Sequence, residues 1–173
     1  MARIDLKKYI RDIPDFPVKG VLFRDITPLI ADGQAFRKII RELHQRYKER
    51  NIQKIVVIES RGYIFGAPLA EKLGVGLAIA RKPGKLPFKS ICESYNLEYG
   101  TATLEMHQDS IKKNERVLII DDLLATGGTA QAVKKMVLRM GGKVVEFAFI
   151  IELDELGGRG KLAPTRIYSQ LKY

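Results

Sequence analysis

Val117-Leu118-Ile119-Ile120-Asp121-Asp122-Leu123-Leu124-Ala125-Thr126-Gly127-Gly128-Thr129 is the stretch on which the reading of this chain turns. The run Arg116–Ile120 is apolar and β-branched, the pattern of a buried strand, and it leads straight into two adjacent carboxylates, Asp121 and Asp122. A small-residue turn then opens an amphipathic helix marked by Ala130, Val133, Met136, Val137 and Met140 and closed by Gly141-Gly142. Backbone N–H groups of Ala125, Thr126, Gly127, Gly128 and Thr129 can form a concavity there, aided by the two threonine hydroxyls and the positive end of the helix. That is a phosphate cradle, and glycine lets the main chain come close to it. Paired carboxylates beside it suit the vicinal hydroxyls of a ribose, so one loop reads both ends of a ribose phosphate. A bare Gly-Gly-Thr would read as an ordinary strand-to-helix turn; the apolar strand and the aspartates before it favour the cradle. With no Gly-Lys-Ser/Thr it is not a Walker loop, and without Gly-x-Gly-x-x-Gly dinucleotide binding is disfavoured.

Working outward, Phe36, Ile39, Ile40, Leu43 and Tyr47 recur at helical spacing and predict a helix over residues ~36–50. Lys54–Ile58 reads as a short strand ending at Glu59-Ser60-Arg61-Gly62. Ile64–Leu73 reads as a helix stopped by Gly74, with Pro68 predicting a later start or a kink. Gly76–Ala80 is a second buried strand. Residues 81–95 carry Pro83, Gly84 and Pro87 with Arg81, Lys82, Lys85 and Lys89, and read as a long, mobile, basic loop of the functional kind. Leu97–Met106 reads as a hairpin arm bending near Gly100, Val144–Ile151 as a strand and Thr165–Leu171 as an edge strand.

Apolar strands alternating with helices imply an α/β fold: a central, mainly parallel sheet flanked by helices. Ligands of such sheets bind beyond the carboxyl ends of the strands. Three ends qualify: Glu59–Gly62, Arg81–Gly84 and Asp121–Thr129. The whole chain, 1–173, reads as one domain, with residues ~1–34 (Pro14, Pro17, Gly20, Pro28) as an irregular N-terminal arm or hood.

Composition narrows the function classes. The chain has 30 Lys+Arg against 20 Asp+Glu, a formal charge of +10, which suggests an anionic partner or a solvated lysine-rich surface. One cysteine, Cys92, excludes an intrachain disulfide and a Cys-rich metal site, and two separated histidines, His44 and His107, argue against a histidine metal site. No apolar run is long enough to span a membrane, and the charged first residues do not suit a signal peptide, so a reducing cytoplasm is the expected compartment. Basic residues between Arg41 and Arg50 lie on the outer face of a helix without interleaved aromatics, a weak sign of nucleic-acid binding.

The Asp121–Thr129 segment resembles the signature of the type I phosphoribosyltransferases, which use 5-phosphoribosyl 1-pyrophosphate (PRPP). The rest of the chain is similar, in order, to the adenine-using branch of that family. Asp15-Phe16-Pro17 with Gly20–Pro28 resembles its N-terminal hood, and Glu59–Gly66 its pyrophosphate loop. Arg81–Pro87 with Ser94–Gly100 resembles its flexible catalytic loop.

The resemblance implies purine salvage: adenine and PRPP giving AMP and pyrophosphate, with Mg²⁺ carried mainly through PRPP and no metal ligand directly assigned. It implies the 5′-phosphate on Ala125–Thr129, the ribose on Asp121 and Asp122, and pyrophosphate on Ser60, Arg61, Arg81, Lys82 and Lys85. Phe23 would stack on adenine, with backbone groups of Leu22 and Arg24 reading its edge and Leu153 closing the other side. Glu98 would be the catalytic acid/base near the purine N7. A non-proline cis bond is expected at Ser60-Arg61, and a homodimer is expected. Two alternatives stay open: a non-catalytic, PRPP-sensing nucleic-acid-binding regulator, and the same chemistry on a 6-oxopurine. The first is disfavoured because the arm before residue ~30 is too short for a winged helix.

Overall fold

The computed structural model describes residues 4–96 and 100–173, which fall into two compact units, residues 1–45 and 46–173. In the first, strand β1 (Arg11–Pro14) pairs antiparallel with β2 (Leu22–Asp25). The Asp15 carboxylate accepts the Gly20 N–H at 2.7 Å within their connection, and Phe16 meets Phe23 edge-on at 5.1 Å. Asp25 accepts the backbone N–H and the hydroxyl of Thr27 (2.9 and 2.8 Å) at the start of helix α1 (Thr27–Ala31). Helix α2 (Gly33–Tyr47) begins earlier than its apolar spacing predicts. The Asp32 carboxylate explains this: it accepts the Gln34 and Ala35 N–H groups and caps the first turn.

The second unit is built on a five-stranded sheet. Its strands are β3 (Lys54–Ile58), β4 (Gly76–Ala80), β7 (Arg116–Leu124), β8 (Lys143–Glu152) and β9 (Arg166–Lys172). They lie in the order β4-β3-β7-β8-β9, and every neighbouring pair is parallel. Helices α3 (Gly62–Leu73), α4 (Gly128–Arg139) and the short α5 (Gly158–Leu162) connect them, and β5 (Ser90–Asn96) and β6 (Thr101–His107) form a separate antiparallel ribbon. Residues 55–58, 117–120 and 147–151 are at most 1% exposed, so the middle strands are covered on both faces, as their unbroken apolar runs require. The expected mainly parallel α/β sheet is therefore the observed one. Among the described residues no helix is long and apolar enough to cross a membrane.

Two local expectations are corrected. Pro68 sits inside a continuous α3 that starts at Gly62, with neither a late start nor a break. A Cβ on Gly66 would fall 2.0 Å from Val57 Cγ1, so this helix lies directly on β3 with Phe65, Leu69 and Ala70 buried. That packing offsets the hydrogen bond Pro68 cannot make, a loss of about 3 kcal/mol. The basic loop also ends sooner than expected, since residues 90–96 are strand β5. Ile91 and Tyr95 pack on the core, but Glu93 shares their face and pairs there with Lys135 and Arg139 of α4. A charge inside the apolar face breaks the alternation that marks a strand in sequence.

Candidate active site

The site follows from unequal strand lengths. The last partner β3 offers β7 is Val57, opposite Ile120, yet β7 runs on to Leu124. Asp121 and Asp122 are thus inside the strand, not beyond it, paired only on the β8 side (Asp121 opposite Phe149). A cavity of about 410 Å³ opens in the notch. Glu59, Ser60 and Arg61 line it from the end of β3, Asp121 to Leu124 from β7, and Ala125, Thr126, Gly127 and Thr129 from the turn into α4. Ile58, Lys82, Tyr95, Ala130 and Phe149 complete the wall. Of the residues expected at the phosphate, ribose and pyrophosphate, Gly128, Arg81 and Lys85 are the ones outside this lining.

The two aspartates differ. Asp122, 7% exposed, accepts from the Arg61 Nε–H, so a cation expected to face pyrophosphate also neutralises a carboxylate expected to face ribose. Asp121 Oδ1 accepts the Asp122 N–H at 2.9 Å. Burial, and then the neighbouring Asp122 charge, push the Asp121 carboxyl well above its usual range. The pair therefore sets a carboxyl whose ionisation is disfavoured beside an arginine-paired one, both on the cavity wall.

The basic segment is held by two carboxylates that sequence reading did not connect to it. Glu59 accepts the Lys82 N–H at 2.9 Å and the Arg81 Nε–H and Nη2–H at 3.2 and 3.3 Å. The Lys82 hydrogen bond, with those from Arg81, holds Glu59 below the usual carboxylate range despite some desolvation. The Arg81 guanidinium also donates to the Lys85 carbonyl at 3.3 Å, so Arg81 is engaged in shaping the loop. Glu105, 5% exposed on β6, accepts the Lys85 and Leu86 N–H groups, both at 3.0 Å, and the Ser90 hydroxyl at 3.2 Å. The backbone of the loop is pinned from both sides, and Lys82 is left on the cavity wall. The cis peptide of this region lies at Glu59-Ser60, one bond before the expected Ser60-Arg61. Arg61, the N-cap of α3, has helical φ −72° and ψ −25°.

The turn into α4 is backed by a second turn. Gly127, the N-cap of α4, has φ +79°, a conformation that favours glycine, and its first-turn N–H groups have no partner within the helix. A Cβ on Gly127 would lie 2.7 Å from the Gly158 carbonyl oxygen, and one on Gly158 would lie 2.1 Å from that of Ala125. The two segments touch backbone to backbone. Gly158 went unnoticed in the sequence because only this long-range contact reveals it.

The residues expected at adenine fall in both units. Leu22 is 46% exposed on β2, Phe23 lies against Phe16, and Arg24 pairs with Asp12, all within the first unit. Leu153 follows β8 and donates its N–H to the Leu124 carbonyl at 2.9 Å. Glu98, the expected acid/base, lies outside the described residues. No group of three His, Cys, Asp or Glu side chains able to hold a metal occurs among the described residues.

A parallel sheet whose central strand carries paired aspartates just ahead of a small-residue turn into a helix defines a phosphoribosyl-handling α/β protein. The model of the phosphoribosyl transferase domain matches residues 27–165, and the chain belongs to that family. It is similar to the adenine phosphoribosyltransferase of Geotalea daltonii, 56% identical over 98% of this chain and 99% of that one. Among solved structures it is similar to the adenine phosphoribosyltransferase of Thermoanaerobacter pseudethanolicus, with a TM-score of 0.94, 48% identity and coverage of 97% of this chain and 98% of that one. The Saccharomyces cerevisiae enzyme, complexed with an imino-altritol bisphosphate and adenine, matches with a TM-score of 0.90 and 38% identity over 96% of both chains.

Proposed function

We propose that this protein transfers the 5-phosphoribosyl group of PRPP to adenine, giving AMP and pyrophosphate, in purine salvage. One observation carries the reading: Ala125, Thr126, Gly127 and Thr129 of the turn, the aspartate pair and Lys82 face a single cavity, in a chain over half identical to an adenine phosphoribosyltransferase. The turn binds the 5′-phosphate through main-chain N–H groups and the Thr126 and Thr129 hydroxyls. Asp121 and Asp122, both on the cavity wall, hold the two ribose hydroxyls.

In the reaction the bond from the anomeric carbon to the diphosphate oxygen breaks, and one from adenine N9 to that carbon forms with inversion. Arg61, Lys82 and Lys85, with the backbone after β3, receive the diphosphate charge. Glu59 and Arg81 shape that loop. The purine proton passes to Glu98, and enclosure of the cavity keeps water from the oxocarbenium-like centre. Phe23, the Leu22 and Arg24 backbone, and Leu153 are assigned to adenine. Because Asp122 and Glu59 already pair with arginines, the donor set fits a Mg²⁺ that would be carried mainly by the diphosphate, with no protein ligand assigned. When bound, Mg²⁺ neutralises charge on the departing diphosphate. A cytoplasmic homodimer belongs to the same reading.

Incubation with PRPP, Mg²⁺ and each purine, following nucleotide and pyrophosphate, tests it. Turnover with adenine is expected. Turnover confined to 6-oxopurines, or none with any base, overturns it.

A further inference from the structure

We infer that Glu152 and Arg159 are positioning residues for the phosphate-binding turn, acting through Gly158; this rests on the assignment of residues 125–129 to the 5′-phosphate. Glu152, 1% exposed, is the last residue of β8 and lies opposite Leu124, the residue that leads into the turn. Beyond it the chain runs over the sheet end through residues 153–157 to α5. Arg159 ties that strap back. Its Nε–H and Nη2–H donate to the two Glu152 oxygens at 2.8 and 2.5 Å, a planar two-point grip that lysine cannot make. Its Nη1–H donates to the Ile167 carbonyl at 3.3 Å, adding an anchor on β9.

The strap comes close to the turn at the residue before this arginine. Gly158 is in such contact with Ala125 and Gly127 that a Cβ would fall 2.1 Å from the Ala125 oxygen and 3.0 Å from the Gly127 nitrogen. Any rotation of α5 therefore moves the floor on which the 125–127 backbone rests. A turn that binds through main-chain N–H groups has no side-chain freedom to recover a displaced geometry, so its affinity depends on what lies behind it. The arginine is 44% exposed in its side chain, and Glu152 keeps a second cation, Lys172 at 3.7 Å, when it is replaced.

The test uses the full chain carrying Arg159→Lys or Arg159→Ala. Hydrogen exchange without ligand is expected to quicken at residues 125–129 and 157–160 and to stay unchanged in β3 and β7. KM for PRPP is expected to rise about tenfold, with KM for adenine within about twofold of the parent. Exchange unchanged at 125–129, or quickened equally throughout the sheet, overturns the inference. If the parent chain makes no nucleotide, the activity reading falls, and exchange at 125–129 in the variants alone decides the bracing role.

Discussion

Replacing Gly158 by alanine should disable the phosphate-binding turn while leaving the fold in place. The added methyl carbon would stand 2.1 Å from the Ala125 carbonyl oxygen, where real contacts of this kind essentially never fall under 3.0 Å. The carbonyl must therefore withdraw by about 0.9 Å, the difference between those two distances. Leu124 Cδ1 at 2.9 Å and the Gly127 nitrogen at 3.0 Å block a sideways escape, so the displacement passes into residues 125–127. A misplacement of about 1 Å in a binding constellation costs on the order of 100-fold, equivalent to about 2.7 kcal/mol of transition-state stabilisation. Overpacking of this kind costs about 1–3 kcal/mol of stability, a drop of several degrees in Tm for a chain of this length. The assay is initial velocity against PRPP concentration at a temperature where circular dichroism shows the variant folded. A folded variant whose kcat/KM for PRPP stays within about threefold of the parent would refute the reasoning, because the contact would then have relaxed without moving the turn.

Three further outcomes are expected. Asp121 retains its proton above its ordinary value of 3.8, so the native chain binds more protons than the unfolded one and stability falls as pH rises through the native value. Asp121→Asn removes that slope and should raise stability at pH 8 by about 1 kcal/mol in urea unfolding while reducing turnover; a variant less stable than the parent there contradicts the assignment. At Glu152 burial raises the carboxyl, but Arg159 and Lys172 outweigh it and bring it down to about 2 from 4.5. Its stabilisation is complete above that ordinary value and lost as pH falls toward 2, so Glu152→Gln should flatten acid unfolding across this window, and an unchanged curve counts against the pairing. Glu98→Gln should lower kcat by about 100-fold or more with little change in PRPP binding, and near-full turnover would remove Glu98 from the acid/base role.

The parts of the molecule that could be read from sequence are those whose cause is local. The 116–120 run, the aspartates and the small turn announce a strand, a carboxylate pair and a helix start because each depends on neighbouring residues. What stayed hidden depends on distant partners. Glu93 disguises β5 because the cations that justify it lie on α4, over 40 residues later. Glu59, read only as part of the loop after β3, and Glu105, which no reading singled out, gain their role when the fold sets them against the 81–86 backbone. Gly158 and Arg159 carry no motif at all, and only the return of the chain past β8 gives them a role. Pro68 misleads in the opposite direction, since local propensity argues for a later helix start that close packing on β3 overrides.

A crystal structure of the protein with AMP is the shortest route to the central claim. The account predicts the 5′-phosphate within hydrogen-bonding distance of the main-chain nitrogens of residues 125–129, with the ribose hydroxyls on Asp121 and Asp122. A nucleotide seated elsewhere, with that turn and those carboxylates unoccupied, would contradict it.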